Sequence, residues 1–204
     1  MTKSSPPSPA RGPADHDVRD QIIQAAMEHF AHYGYDKTTV SDLAKAIGFS
    51  KAYIYKFFES KQAIGEVICS SRLALIRQRI EVATGDAPTA SEKLRRLFRA
   101  IAEGGSDLFF HDRKLYDIAA VASRDQWSSV KAHEATISQV IQHILAQGRD
   151  AGEFERKTPL DESTLGIFLI MRPYVNAALL QHNLDTLQDA IIQLPALILR
   201  SLAP

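Results

Sequence analysis

The sequence predicts an all-α protein, with a small N-terminal unit of three helices followed by a larger C-terminal helical domain, about nine helices altogether. Three observations carry this. Apolar residues recur three and four positions apart along most of the chain, the period of a helix with one buried face. No stretch alternates apolar and polar residues for long enough to make a half-buried strand, and no internal repeat is visible. The breaks between stripes carry residues that start or stop helices: Gly34, Gly48, the run Thr84 to Thr89, Gly152 and the pair Thr158-Pro159.

Of the 204 residues, 45% are hydrophobic and 24% charged, enough apolar material for a real core. The longest apolar run, Leu165 to Met171, falls well short of the roughly 20 residues that cross a bilayer, so no membrane span is expected. No hydrophobic signal segment opens the chain, and a cytoplasmic location is expected. Cys69 is the single cysteine; on a helical stripe it reads as a buried thiol in preference to a redox sensor. The formal net charge is zero, and its distribution is nearly even: residues 1–83 carry 11 Lys/Arg against 9 Asp/Glu, and the rest 13 against 15. Local concentration says more. Lys45, Lys51, Lys56 and Lys61 fall in one short segment with few acids.

Residues 1–15 are rich in Ser, Pro, Ala and Gly without an apolar period, and are expected to form a disordered arm. Arg11 is read as part of a mobile tail in preference to a minor-groove contact. A helix starts near Asp17, a good N-cap, carries Val18, Ile22, Ala26, Phe30 and Tyr33 on one stripe, and ends at Gly34. His29 and His32 lie three apart on it with no third ligand nearby, so no metal site is expected. Ser60 caps a helix to about Val82, with Ile64, Ile68, Leu75 and Ile76 inward and Arg72, Arg77 and Arg79 solvated. Thr89 and Glu92 read as a capping box for a helix carrying Leu94, Leu97, Phe98, Ile101 and Ala102. Gly104-Gly105 either loosens that helix or ends it before Asp107. A short helix follows from Arg113 to Ser123, and a longer one from about Gln126 to Asp150, with Gly148 and Gly152 marking its end. Pro159 stands at the first position of a helix extending to about His182, and the last helix runs from Asp185 to about Leu202.

Residues 39–58 hold the motif with chemical content. Thr39 caps a short helix, with Asp42 three residues on and Leu43, Ala44 and Ile47 following. Gly48 supplies the positive φ of a tight turn, and Ala44 is small where the next helix crosses closely. Ser50 caps a second short helix from Lys51 to about Phe58. Ile54 and Phe58 face inward; Lys51, Ala52, Tyr55 and Lys56 face outward, with Tyr53 beside them. A short helix presenting cations and phenolic hydroxyls suits the major groove of duplex DNA. The alternative is a plain helical hairpin with solvated lysines.

The stretch Ser50 to Ile64, SKAYIYKFFESKQAI, resembles the signature of the TetR family of transcriptional regulators, an S-x-x-x-L/I-Y-x-x-F-x-S/N-K-x-x-L/I pattern. Phe30, Gly34-Tyr35 and Thr38-Thr39 are also similar to the family, so motif-level resemblance covers about residues 18–75. The remainder matches in its helical layout and in the turn Gly148 to Phe154. The resemblance implies a DNA-binding domain over residues 16–62 and a ligand-binding and dimerisation domain over residues 63–204. It implies that Thr39 meets a phosphate at a helix N-terminus, that Lys51, Ala52 and Tyr53 face base edges, and that Tyr55 and Lys61 meet phosphates. Phe57 departs from the pattern, since many members have His or Tyr there and gain a phosphate contact.

The last helix carries Ile191, Ile192, Leu194, Leu197, Ile198, Leu199 and Leu202 around most of its circumference, and a helix apolar all round is buried all round. The resemblance implies a homodimer through a four-helix bundle of the last two helices of each chain, and with it a palindromic operator. The bland alternative is a core helix in a monomer. The family also implies a cavity for a small hydrophobic or aromatic effector. Candidates to line it are Phe98, Phe109, Tyr116, Trp127, Phe168, Met171, Arg172 and Tyr174, with Ile101 and Phe110 beside them. Arg172 reads equally as the partner of an anionic ligand and as the ion-pair partner of Asp117 or Glu134. His133 and His143 read as helix-surface or partly buried residues, and no cofactor is implied. The expected function is a repressor released from DNA by a ligand, with an activator as the alternative within the same class. An enzyme is not expected, because the chain lacks paired carboxylates, a nucleophile elbow, metal-ligand spacing and a phosphate loop. A scaffold with a vestigial DNA module sits poorly with the intact segment from Ser50 to Lys61.

Overall fold

The computed structural model describes residues 15–204. The arm expected over residues 1–15, with Arg11, falls outside the described residues except for Asp15. Ten α-helices, and no strand, make up the described residues: α1 (Asp15–Tyr33), α2 (Val40–Ile47), α3 (Lys51–Ile54), α4 (Lys61–Gly85), α5 (Ala90–His111), α6 (Arg113–Arg124), α7 (Ser128–Asp150), α8 (Leu160–Val175), α9 (Ala177–Leu180) and α10 (Leu187–Ser201). The all-α class and the two-part layout stand as the sequence predicts.

Two buried clusters organise the chain. The first gathers Ile22 and Phe30 from α1, Leu43 from α2, Ile54 from α3 and Ile64 and Ile68 from α4, and rests on Leu115 and Ile118 of α6. The second gathers Leu94, Leu97 and Phe98 of α5, Ile137, Ile141 and Ile144 of α7, Met171 of α8 and Ile191 and Ile198 of α10. Burying each such side chain stabilises the fold by roughly 1.5–3 kcal/mol. α4 belongs to both clusters, through Ile64 and Ile68 near its start and Ile80 near its end. It is therefore one continuous helix shared by the two parts.

A second connection runs beside it. Trp127 precedes α7 and offers no side-chain cap. The cap comes from α4 instead: the Glu66 carboxylate accepts hydrogen bonds from Ser128 N at 2.9 Å, Ser128 Oγ at 3.0 Å and Ser129 N at 3.0 Å. Burial pushes the Glu66 carboxyl up, but the bonds from Ser129 and Ser128 outweigh it and hold the group below the usual glutamate range. Next to it Gly65 lets the edge of the Trp127 indole approach α4 closely, since a Cβ there would stand 2.8 Å from the ring.

Several boundaries differ from expectation. α1 already includes Asp15, the first described residue, where Asp17 was the expected cap; α7 starts at Ser128 rather than Gln126, and α10 at Leu187 rather than Asp185. The helix expected to reach His182 stops at Val175. Asn176 takes an extended conformation there, and its side chain accepts from Leu179 N to start the separate one-turn α9. Gly104 and Gly105 neither end nor loosen α5, which runs on to His111. Gly105 is a packing glycine: a Cβ there would come 2.5 Å from Leu180 Cδ2 of α9. Gly148 likewise lies inside α7, where the Phe154 ring folds back against its bare Cα. Thr89 caps α5 by accepting from Glu92 N, but the expected box is not closed, because the Glu92 carboxylate turns to Arg96. Glu153 caps the first turn in a different way, accepting from Ala90 N and Ser91 N. Leu75, expected inward, is 54% exposed.

Candidate nucleic-acid interface

The first cluster holds α2 and α3 as a hairpin with one face free. Thr39 closes a capping box: its hydroxyl accepts from Asp42 N at 3.2 Å, while the Asp42 carboxylate accepts from Thr39 N at 2.9 Å and from Thr39 Oγ1 at 2.7 Å. Those bonds from Thr39, side chain first, hold the Asp42 carboxyl below the usual aspartate range. Gly48 adopts φ 71°, ψ 24°, the left-handed conformation that ends α2 and reverses the chain. Phe49 N then donates to Ala44 O at 2.9 Å. Ser50 caps α3 by accepting from Tyr53 N at 3.1 Å.

α3 is shorter than expected. Regular helix ends at Ile54, and tighter turns continue to Phe58, with Lys56 N donating to Tyr53 O and Phe57 N to Ile54 O. Ile54 and Phe58 are buried. Ser50, Lys51, Ala52, Tyr55 and Lys56 are exposed, as is Thr39 at the start of α2. The Lys51 ammonium lies 5.8 Å over the Tyr55 ring and the Lys56 ammonium 5.4 Å over the Tyr53 ring. Tyr53 is half-buried, held edge-to-face between Phe49 at 5.1 Å and Phe57 at 5.4 Å. The departure at Phe57 therefore has a packing role: it walls in Tyr53.

Lys61 is placed differently from the other lysines. Its ammonium donates to Tyr35 O at 2.9 Å and lies 4.2 Å over the Tyr35 ring. Burial, reinforced by Asp36, Asp125 and Glu66, raises the Tyr35 phenol to about 12, so it stays protonated beneath this contact. Sequence reasoning missed Arg19 of α1. Its guanidinium donates to Phe57 O at 3.1 Å and stacks 4.3 Å over Phe58, pinning the end of the α3 segment. Only its place one residue after the buried Val18 hinted at this, and spacing does not show which loop it reaches.

The eight residues predicted to line an effector cavity do not converge. A cavity of about 40 Å³ lies between α4, α5, α6, α7, α8 and α9, and of the eight only Tyr116 and Tyr174 line it. Tyr116 OH donates to Ala177 O, and burial raises its phenol to about 12. Phe98 and Met171 are in the second core cluster, with Phe168 packed against its edge. Phe109 is half-buried on Tyr116, with Arg113 stacked 4.1 Å over its ring. Trp127 belongs to the first cluster and meets Tyr35 at 5.3 Å. Phe110 is exposed. Arg172 is exposed and takes neither expected partner: Asp117 pairs with Arg113 at 3.2 Å, and Glu134 accepts from Asn176 at 3.5 Å. His133, expected at or near the surface, is 2% exposed and lines the cavity. Burial, with the nearby Arg77 charge, lowers its pKa to about 4. Among the described residues no group of three or more His, Cys, Asp or Glu side chains is placed to hold a metal ion. No helix among them is long and apolar enough to cross a membrane.

A capped helix, a left-handed glycine turn and a second capped segment with its polar face outward define a helix-turn-helix protein. The chain belongs to the TetR family: residues 22–67 match the model of bacterial regulatory proteins of the tetR family, and residues 90–191 match the tetracyclin repressor-like C-terminal domain. It is a transcriptional regulator of that family and not an enzyme. Over 49 residues it is 43% identical to the negative transcriptional regulator IcaR of the biofilm operon icaADBC from Staphylococcus aureus, a match covering 24% of this chain and 26% of that protein. The fold is shared with the fatty acid degradation regulator FadR of Bacillus halodurans, at TM-score 0.66 and 21% identity, over 93% of this chain and 96% of that one. It is shared also with Thermus thermophilus FadR, a TetR family repressor solved with lauroyl-CoA, at TM-score 0.57 and 22% identity, over 85% and 95% of the two chains.

Proposed function

We propose that this protein is a repressor that grips a palindromic operator as a homodimer and releases it when a small, largely apolar effector occupies the C-terminal domain. The observation that carries the reading is the exposed surface of Lys51, Ala52, Tyr55 and Lys56, mounted on a buried two-helix frame. An α-helix with its side chains fits the major groove, where Lys51 and Tyr53 reach base edges across the small Ala52. Tyr55 and Lys56 then reach the backbone on either side. The free first-turn amides of α2, behind Thr39, offer a phosphate its hydrogen bonds. Lys61 spends one ammonium N–H on Tyr35 and has two left for a second phosphate. Residues 16–62 form the DNA-binding part in this reading and residues 63–204 the regulatory part, with a cytoplasmic site of action.

The dimer reading rests on exposed apolar side chains. Leu165 and Leu169 of α8 and Ile192 and Leu197 of α10 are each more than half exposed, while Ile191 and Ile198 of α10 are buried within the chain. A second copy is the natural cover for such a patch. The effector reading follows the similarity to the repressor solved with lauroyl-CoA. An effector acts by preferring one spacing of the two reading heads over the other. α4 and the Glu66 cap of α7 are the parts that join cavity to reading head. Selection of bound sequences from random duplex DNA tests the whole reading. An enriched inverted repeat is the expected result. Enrichment of a single unrepeated site would overturn the dimer on DNA, and no enrichment would overturn sequence-specific recognition.

A further inference from the structure

We propose that the cavity beside His133 takes a compact apolar effector with one oxygen acceptor, a carbonyl or a carboxylate, which accepts a hydrogen bond from the His133 imidazole. The inference rests on the reading of the C-terminal domain as effector-binding, and it names the chemistry of that effector. Its first support is an unmet hydrogen-bonding need. His133 is 2% exposed, and its Nδ1 has no hydrogen-bond partner. Buried polar nitrogens are almost always paired, so an orphan lining a cavity points to a partner that arrives from outside.

The second support is the lining. Ile76, Ile101, Leu108 and Leu180 line the same cavity as His133 with apolar surface, which accepts a hydrocarbon or aryl body. The third is charge. The imidazole remains neutral at physiological pH, because burial and then the Arg77 charge lower its affinity for a proton. A neutral imidazole carries one N–H to donate and one bare nitrogen, and the tautomer with the proton on Nδ1 gives the orphan nitrogen an N–H to donate. Arg72 also lines the cavity, so the local field favours an oxygen acceptor and opposes a cation.

The fourth is a way in. The cavity holds about 40 Å³, less than the roughly 150 Å³ that a benzene-sized guest fills. On its other side lies a groove of about 470 Å³ between α4 and α5. Cavity and groove share Arg72, Ile76 and Leu108, so these three long side chains form the partition between them. Turning them aside makes one continuous site. An effector enters along the groove and seats its oxygen on His133.

Calorimetric titration of the full chain with four probes tests this: acetophenone, benzoate, ethylbenzene and benzylammonium. The wild type is expected to bind acetophenone or benzoate at least tenfold more tightly than ethylbenzene, and benzylammonium not at all. His133→Leu should abolish that preference, weakening the oxygen-bearing probe by about 10- to 100-fold while leaving ethylbenzene unchanged. His133→Gln, which keeps an N–H donor, should restore part of it. Equal affinity of the wild type for ethylbenzene and both oxygen-bearing probes overturns the proposal, whether or not the variants fold. So does binding of none of the four. Operator binding by the same wild-type preparation is read separately: its loss sinks the regulator reading and leaves the cavity chemistry standing, whereas probe failure with intact operator binding sinks only this inference.

Discussion

Replacing Glu66 by Ala removes the one side chain that caps α7 and ties it to α4. In the wild type, the carboxylate accepts from two backbone amides and one hydroxyl. Ser128 is exposed, so water replaces its lost partner at little cost. Ser129 is buried, and its N–H has no substitute. Loss of an N-terminal cap costs about 1 kcal/mol, and an orphaned buried amide roughly 1–3 kcal/mol, so a total of about 2 kcal/mol is expected. For a chain of 204 residues that lowers Tm by about 4–8 °C, measured by circular dichroism at fixed protein concentration. Glu66→Gln keeps one acceptor and should lose about half as much. The pH dependence has a defined sign. The folded Glu66 carboxyl lies below its unfolded value, so its contribution is fully present above about pH 4.3 and is lost as pH falls through the folded value. The gap between wild type and Glu66→Gln should therefore close in acid. A Glu66→Ala protein within about 0.5 kcal/mol of wild type at neutral pH would refute the capping argument.

Two further outcomes follow from the packing. Gly148→Ala should destabilise the fold by about 1–3 kcal/mol through overpacking against Phe154. Phe154→Leu should relieve part of that cost, giving a coupling above about 0.5 kcal/mol in a double-mutant cycle of urea melts; strict additivity would count against the contact. Because the folded His133 pKa lies near 4, below its unfolded value of 6.5, the neutral buried form loses stability as pH falls from 6.5 toward 4, by at most about 3 kcal/mol. His133→Leu should flatten that part of the stability profile, and an unchanged slope would place the titration elsewhere.

The all-helical class was legible because helical periodicity is written in local spacing. The frame of the helix-turn-helix was legible for the same reason: Thr39, Gly48 and Ser50 act on neighbours within five residues. What escaped the sequence depends on distant partners. Gly105 and Gly148 read as helix breakers, but their missing side chains make room for Leu180 and Phe154. Glu66 carries no signal in its local spacing, and only the fold brings it to residues 128 and 129. Arg172 sits in an apolar helix, yet on the face turned to solvent. His133 shows the opposite failure. Its polar side chain suggested a surface or partly buried position, while the helix around it turns that side fully inward. The aromatic residues of the second domain were legible as apolar positions on helical stripes, and most of those chosen as cavity candidates lie in the core or at its edge. Spacing could not tell a core ring from a cavity wall, because both satisfy the same periodicity.

The most direct test of the central claim is fluorescence anisotropy with the selected inverted repeat, at two salt concentrations, using wild type, Lys56→Ala and Tyr55→Phe. The account predicts that wild-type affinity falls steeply with salt, that Lys56→Ala lowers the salt slope by about 1, and that Tyr55→Phe weakens binding by about fivefold without altering the slope. Variants that bind as the wild type does, with the same slope, would contradict the assignment of this face to DNA.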